Sequence, residues 1–228
     1  GELFNLISAM RFILYALLCT SIFSQSVQSS FSSNKKRTVF IEYAGSISTV
    51  FSPIEINQNN NVLLISHIIA GNDDLPISPV LIGKIKISWN LSLTGRTTAF
   101  SSSKRAFHSY GWGLSFKPGQ PEENSPWSFH YNSGNFRSYD MLSASSASSS
   151  IVRKISLNKL SLFIGYTANT TKGIDYTSSK LINSKTFNEK HSYFTLGTII
   201  TIKGIKLFPS FAYGTNHKIL SIGFQNQF

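Results

Sequence analysis

Five histidines (His67, His108, His130, His191 and His217) are the side chains here best suited to proton transfer or metal binding, and they are scattered along the chain. None recurs at a spacing that presents two ligands from one helix turn or loop, and the single cysteine, Cys19, excludes a thiolate zinc site or a disulfide framework. A nucleophile, base and acid can be drawn from the serines of 143–150, His108 and Asp140. Any serine-rich chain offers such sets, and a triad is recognised by geometry rather than by sequence. Asp73-Asp74 read as turn residues rather than paired catalytic carboxylates. Asn90-Leu91-Ser92 and Asn169-Thr170-Thr171 match the glycosylation pattern without carrying weight. No glycine-rich phosphate cradle is present. The expectation is a non-enzymatic chain with no catalytic residues, no metal and no cofactor.

Charge is the more informative chemistry. The 228 residues hold 21 Lys+Arg against 10 Asp+Glu, a formal +11, yet only 14% are charged. A typical soluble chain has about a quarter. Ser, Asn and Thr supply the polarity instead. Basic residues gather at Lys35-Lys36-Arg37, in a candidate loop patch (Arg96, Lys104, Arg105, Lys172, Lys180, Lys185), and at interior candidates Lys84 and Lys86. Nucleic acid is a poor partner, because these cations alternate with apolar residues instead of forming a stripe. Anionic lipid phosphates are the better expectation.

The elements that position these residues read as strands. Leu81, Gly83, Ile85, Ile87, Trp89, Leu91 and Leu93 alternate with Ile82, Lys84, Lys86, Ser88, Asn90, Ser92 and Thr94. Such period-2 alternation makes one apolar and one polar face. At that length it exceeds a globular strand of about 5–6 residues and reaches the roughly 9–11 of a tilted membrane strand. Further strands are expected at Val39–Ile47, Asn61–Ala70, His108–Phe116, Trp127–Asn132, Ser149–Ser156, Leu160–Ala168, Phe194–Ile202, Ile205–Tyr213 and Leu220–Phe228. That makes about ten, an even number as a single-chain bacterial barrel requires, with eight open if the weaker segments Asn61–Ala70 and Ser149–Ser156 fail. Long outer loops are expected at Thr94–Ala106, Ser138–Ser148 and Thr171–Lys190. Trp89, Trp112, Trp127, Tyr110, Tyr131, Tyr166 and Tyr213 fall on apolar faces, as an interfacial aromatic girdle would.

Upstream, Arg11 precedes an apolar run, Phe12–Cys19, and then small serine-rich residues. This is the pattern of an export signal, and the run is too short for a spanning helix. Residues 1–29 are expected to be leader and 30–228 the barrel.

The C-terminus carries a resemblance. Leu220, Ile222, Phe224 and the final Phe228 alternate with Ser221, Gly223 and Gln225. With the leader, this resembles the terminal strand of small bacterial outer-membrane β-barrels. Val39-Phe40-Ile41-Glu42-Tyr43 with Asn59-Asn60-Asn61 is similar to the first hairpin of Bacteroidetes-type barrels, although Ile54-Glu55-Ile56 departs from their second strand. The resemblance implies an antiparallel up-and-down transmembrane barrel in the outer membrane. Phe224 and Phe228 would be the signal to the barrel-insertion machinery, and Lys84, Lys86, Asn90, His130 and Asn132 would line the lumen. The implied partners are outer-membrane lipid or lipopolysaccharide, and no oligomeric state follows. The implied role is structural or surface-binding through long loops. The alternatives are a narrow channel or carrier for small, anionic solutes, or, further off, a barrel enzyme acting on lipid or peptide.

Overall fold

The computed structural model describes residues 34–56, 60–71, 77–102, 105–120, 125–138, 142–157, 160–176, 186–202 and 205–227. One helix, α1 (Asn34–Ser48), precedes ten strands. These are β1 (Val62–Gly71), β2 (Ser78–Lys86), β3 (Leu91–Ser102), β4 (Arg105–Phe116), β5 (Trp127–Ser138), β6 (Leu142–Leu157), β7 (Leu160–Asp175), β8 (Thr186–Ile202), β9 (Ile205–Gly214) and β10 (Lys218–Gln227). Each strand pairs antiparallel with its sequence neighbour, and β1 closes on β10 through pairs such as Ser66 with Phe224. No sheet edge is left open. Among the described residues no helix is long and apolar enough to cross a membrane.

The closed sheet turns its apolar face outward. Tyr110 and Phe194 are each 61% exposed, and Ile164, Tyr166, Leu196, Phe211, Leu220 and Ile222 share that outer surface. Ser, Thr, Asn, His, Lys and Arg side chains on the opposite positions are buried. That inversion of a soluble protein is the pattern of a barrel with lipid outside and polar groups within. Trp112, Trp127, Tyr131 and Tyr213 also face outward. Strands of 16 or 17 residues, β6 to β8, run beyond any bilayer core.

Two expected elements are corrected. Val39–Ile47 is helix, not the first strand, so the hairpin likened to Bacteroidetes-type barrels is not formed. The segment lies inside the lumen, where a lone strand would leave its N–H and C=O groups unpaired, while a helix pairs its own. Phe40, Ile41, Tyr43, Ala44 and Ile47 are all buried. Enclosed on every side, the segment selects no single face, and its alternation carries no strand information. Leu81–Thr94 is not one strand but a hairpin, β2 and β3 joined through residues 87–90. Ile85 pairs with Leu93 and Lys86 with Ser92, so partners share parity and the alternation runs unbroken through the turn. One strand lost and one gained leave the count at ten.

The expected long loops shrink for a related reason. β3 continues to Ser102 and β4 begins at Arg105; β5 ends at Ser138 and β6 begins at Leu142. Serine-rich sequence resembles a loop, but in a polar lumen it is strand: Ser146, Ser148 and Ser150 face inward and are buried. Of the three expected loops only the one after β7, across 176–185, stays long. Pro209 lies within β9, where the ladder to β8 breaks between Ser210 and Leu207 because proline has no N–H to donate.

Candidate functional site

The lumen is filled by the chain's own N-terminal part. We call the end where β1 starts and β10 ends the lower mouth and the opposite end the upper mouth. α1 starts at the upper mouth and descends, and residues 49–56 continue to the lower mouth, from which β1 sets off. Every turn of this plug is held by the wall. Near the top, Arg37 Nε donates to Asp175 Oδ2 at 2.6 Å, with its guanidinium 5.2 Å from the centre of the Phe187 ring. Tyr43 Oη and Ser78 Oγ are 3.2 Å apart. Glu42 accepts from Asn216 Nδ2 at 2.9 Å and meets His217 Nδ1 at 3.3 Å. One turn on, Ser46 Oγ lies 3.1 Å from His191 Nε2 and 3.1 Å from His217 Nε2.

At mid-depth the helix comes closest to the wall. Gly45 has no side chain there because a Cβ would overlap Thr171 Oγ1. Its carbonyl accepts from Asn169 Nδ2 at 3.3 Å, and Ser48 and Thr49 hydroxyls fold back on it at 2.9 and 2.8 Å. Ser48, the last helical residue, sits against Gly134, where a Cβ would overlap its carbonyl oxygen. Arg96 Nη1 reaches that carbonyl at 3.3 Å, a cation at the negative end of the helix dipole. Its Nη2 donates to Thr94 at 3.2 Å and to Asn132 Oδ1.

Below the helix regular backbone pairing ends after Val50 N–H to Ile47 O at 3.3 Å, and wall side chains take up plug carbonyls. Ser148 donates to Thr49 O at 3.3 Å and Lys84 Nζ to Ile54 O at 3.0 Å. Phe51 packs on the His130 ring at 5.3 Å, and that ring is bracketed by Ser115 and Ser128, each at 2.9 Å. Lys117 and Glu55 pair at 3.3 Å at the lower mouth. Two voids flank the plug, of about 40 and about 30 Å³. Each has room for about two or three waters.

The lumen candidates divide accordingly. Lys84 (1% exposed), His130 and Asn132 are buried against the plug, whereas Lys86 and Asn90 rim the lower-mouth void with Glu55. Arg96 is buried inside the barrel because β3 continues where a loop was expected, Lys172 stands outward on β7, and Arg105 opens β4. Lys104, Lys180, Lys185 and Phe228 lie outside the described residues. Phe224 faces outward on β10. The groups gripping the helix, Arg37, Glu42, Ser46, Asp175, His191 and His217, were assigned no common site by the sequence. A hint was available, since Phe40, Tyr43, Ala44 and Ile47 also satisfy the i, i+3, i+4, i+7 spacing of a helix.

No family model matches the chain, and no curated protein matches it. Solved structures do. The translocator domain of autotransporter NalP from Neisseria meningitidis aligns over 85% of this chain and 96% of its own, at 9% identity and a TM-score of 0.47. The KdgM porin in complex with disordered oligogalacturonate aligns over 73% and 99%, at 11% and 0.41. Neisserial surface protein A aligns over 76% and 100%, at 10% and 0.37. At such identities the likeness concerns the fold. An even-numbered closed antiparallel barrel with an apolar outer belt and buried polar groups inside is the architecture of a membrane-spanning β-barrel.

Proposed function

We propose that this protein is an integral outer-membrane barrel kept shut by its own N-terminal helix, with a structural or surface-binding role and no enzymatic one. The observation that carries the proposal is the filled lumen. Lys84 and Arg96, the cations that would give a pore its anion preference, are engaged by the plug carbonyls of Ile54 and Ser48. In planar bilayers the full chain is expected to give no channel events at neutral pH, even at high protein load. Steady conductance of the folded protein would refute a closed barrel.

The outer surface supports a lipid partner. Arg137, Lys172, Lys190 and Lys218 stand exposed near the upper mouth, above outward Tyr166, Phe194 and Tyr213. The acids of those strands, Asp175 and Glu189, occupy inward positions. A cationic band over an aromatic belt suits lipid phosphates such as those of lipopolysaccharide. Insertion by the barrel-assembly machinery, with Phe224 and Phe228 as its signal, completes the proposal; deleting Phe228 should reduce recovery in outer-membrane fractions, and undiminished recovery would count against it.

The narrow channel is the second reading, and one observation favours it. Beside the apolar cluster in which Phe40 meets Phe107, the plug is held to the wall by many polar side chains, which water can replace. It would conduct only with the helix displaced.

A further inference from the structure

We propose that Glu42, Ser46, His191 and His217 form a proton-operated latch that holds α1 in the upper lumen at neutral pH and lets it go in acid. The inference rests on the closed-barrel reading. Its ground is proton counting in a buried network.

Ser46 Oγ has one hydrogen and four neighbours: the Glu42 carbonyl at 2.9 Å, the Nε2 atoms of His191 and His217 at 3.1 Å each, and the Tyr193 hydroxyl. Two arrangements keep both histidine contacts. In one, Ser46 donates to His217 Nε2, and neutral His217 donates from Nδ1 to the Glu42 carboxylate. In the other, Ser46 donates to the Glu42 carbonyl, and His217, carrying both protons, donates to Ser46 and to Glu42. In both, neutral His191 donates from Nε2 to Ser46. The network therefore takes one added proton without losing a bond.

A second proton has no place. His191 Nδ1 is buried and has no hydrogen-bond partner. As the bare nitrogen of a neutral ring it is tolerable; as an N–H it would be an unsatisfied buried donor. It would also put a second imidazolium beside the first, with ring centres 5.2 Å apart, and one carboxylate between two cations. The surroundings do not help. From α1 come Arg37, already paired with Asp175 of β7, and Tyr43; from β8 comes Tyr193, stacked on His191 at 6.1 Å; Arg96 of β3 adds positive charge beyond Tyr193. Across the void below Ser46 stands His67 of β1, another imidazole.

The sign follows from linkage. With α1 undocked, both imidazoles meet water and each takes a proton; docked, the pair takes one. The undocked state binds more protons, so acid favours it. Histidine is the side chain that charges between about pH 5 and 8, so the change falls in that window.

The test is conductance of the full-length protein in planar bilayers in potassium chloride, with folding checked by heat-modifiable migration on gels. Wild type should be silent at about pH 7.5 and open at about pH 5, with a rise of about tenfold or more in open fraction. His191→Gln keeps a donor toward Ser46 and cannot charge, so it should stay silent at both. A wild type silent in acid, while Gly134→Val conducts, overturns the latch and leaves the plug standing. Equal conductance at both pH values overturns the plug itself. An acid response that survives in His191→Gln overturns the assignment to this histidine.

Discussion

Gly134→Val is the sharpest test of the idea that wall and plug are fitted to each other. A Cβ at Gly134 would overlap the Ser48 carbonyl oxygen and stand 2.9 Å from its carbon and 3.0 Å from its Cβ. These atoms end the helix and cannot rotate aside. A Cβ at Gly111, paired with Gly134 on the neighbouring strand, would stand 3.0 Å from the same oxygen, so the wall is close to the helix end on both strands. Valine suits a strand, so the barrel itself tolerates the change. The cost falls on the docked helix: about 1–3 kcal/mol for overpacking, before any weakening of the Arg96 contact to Ser48. That multiplies the undocked fraction by about 5 to 150. At neutral pH, channel events absent in wild type should appear in Gly134→Val, with heat-modifiable migration unchanged. Gly134→Ala should fall between the two. A folded Gly134→Val protein as silent as wild type would refute the fit of helix end to glycine notch.

Three further outcomes follow from the same contacts. Arg37→Ala strips a nearly buried carboxylate, Asp175, of its 2.6 Å partner; breaking such a pair costs about 3–5 kcal/mol, so the N-terminal part should become protease-sensitive, and Arg37→Ala with Asp175→Asn should recover part of the loss. Lys84→Glu turns the donor on the Ile54 carbonyl into an acceptor, so it should raise the open fraction and make the open lumen prefer cations; unchanged selectivity would remove Lys84 from the conduction path. Replacing Lys172 and Lys190 together by Gln should lower the thermal stabilisation given by lipopolysaccharide-containing vesicles relative to neutral lipid, by about 1 kcal/mol for each charge, and an undiminished effect would move the lipid contact elsewhere.

The strands that face lipid on one side were legible, because lipid on one face and protein on the other impose a two-residue period over their whole length. β4, β5, β7, β8, β9 and β10 announce themselves by outward Trp, Tyr, Phe, Ile and Leu alternating with small or polar residues. The same rule hid the β2–β3 turn, since an antiparallel pair with matched parity alternates straight through its own connection.

The residues of the lumen were another matter. Alternation at Lys84, His130 and Asn132 says only that they point away from lipid, and water, ligand or protein satisfies that equally. What lies there was decided by the helix at 34–48, whose sequence serves strand and helix alike until a closed wall denies it partners in a sheet. Arg96, Asp175, His191 and His217 took their roles from that wall, because they meet α1 only once strands far apart in sequence are curled around it. The sequence by itself determined a membrane barrel, through the cost of charge and unpaired backbone in lipid. Only the tertiary structure decided that the barrel is closed from within, because contacts across a lumen leave no periodic trace along the chain.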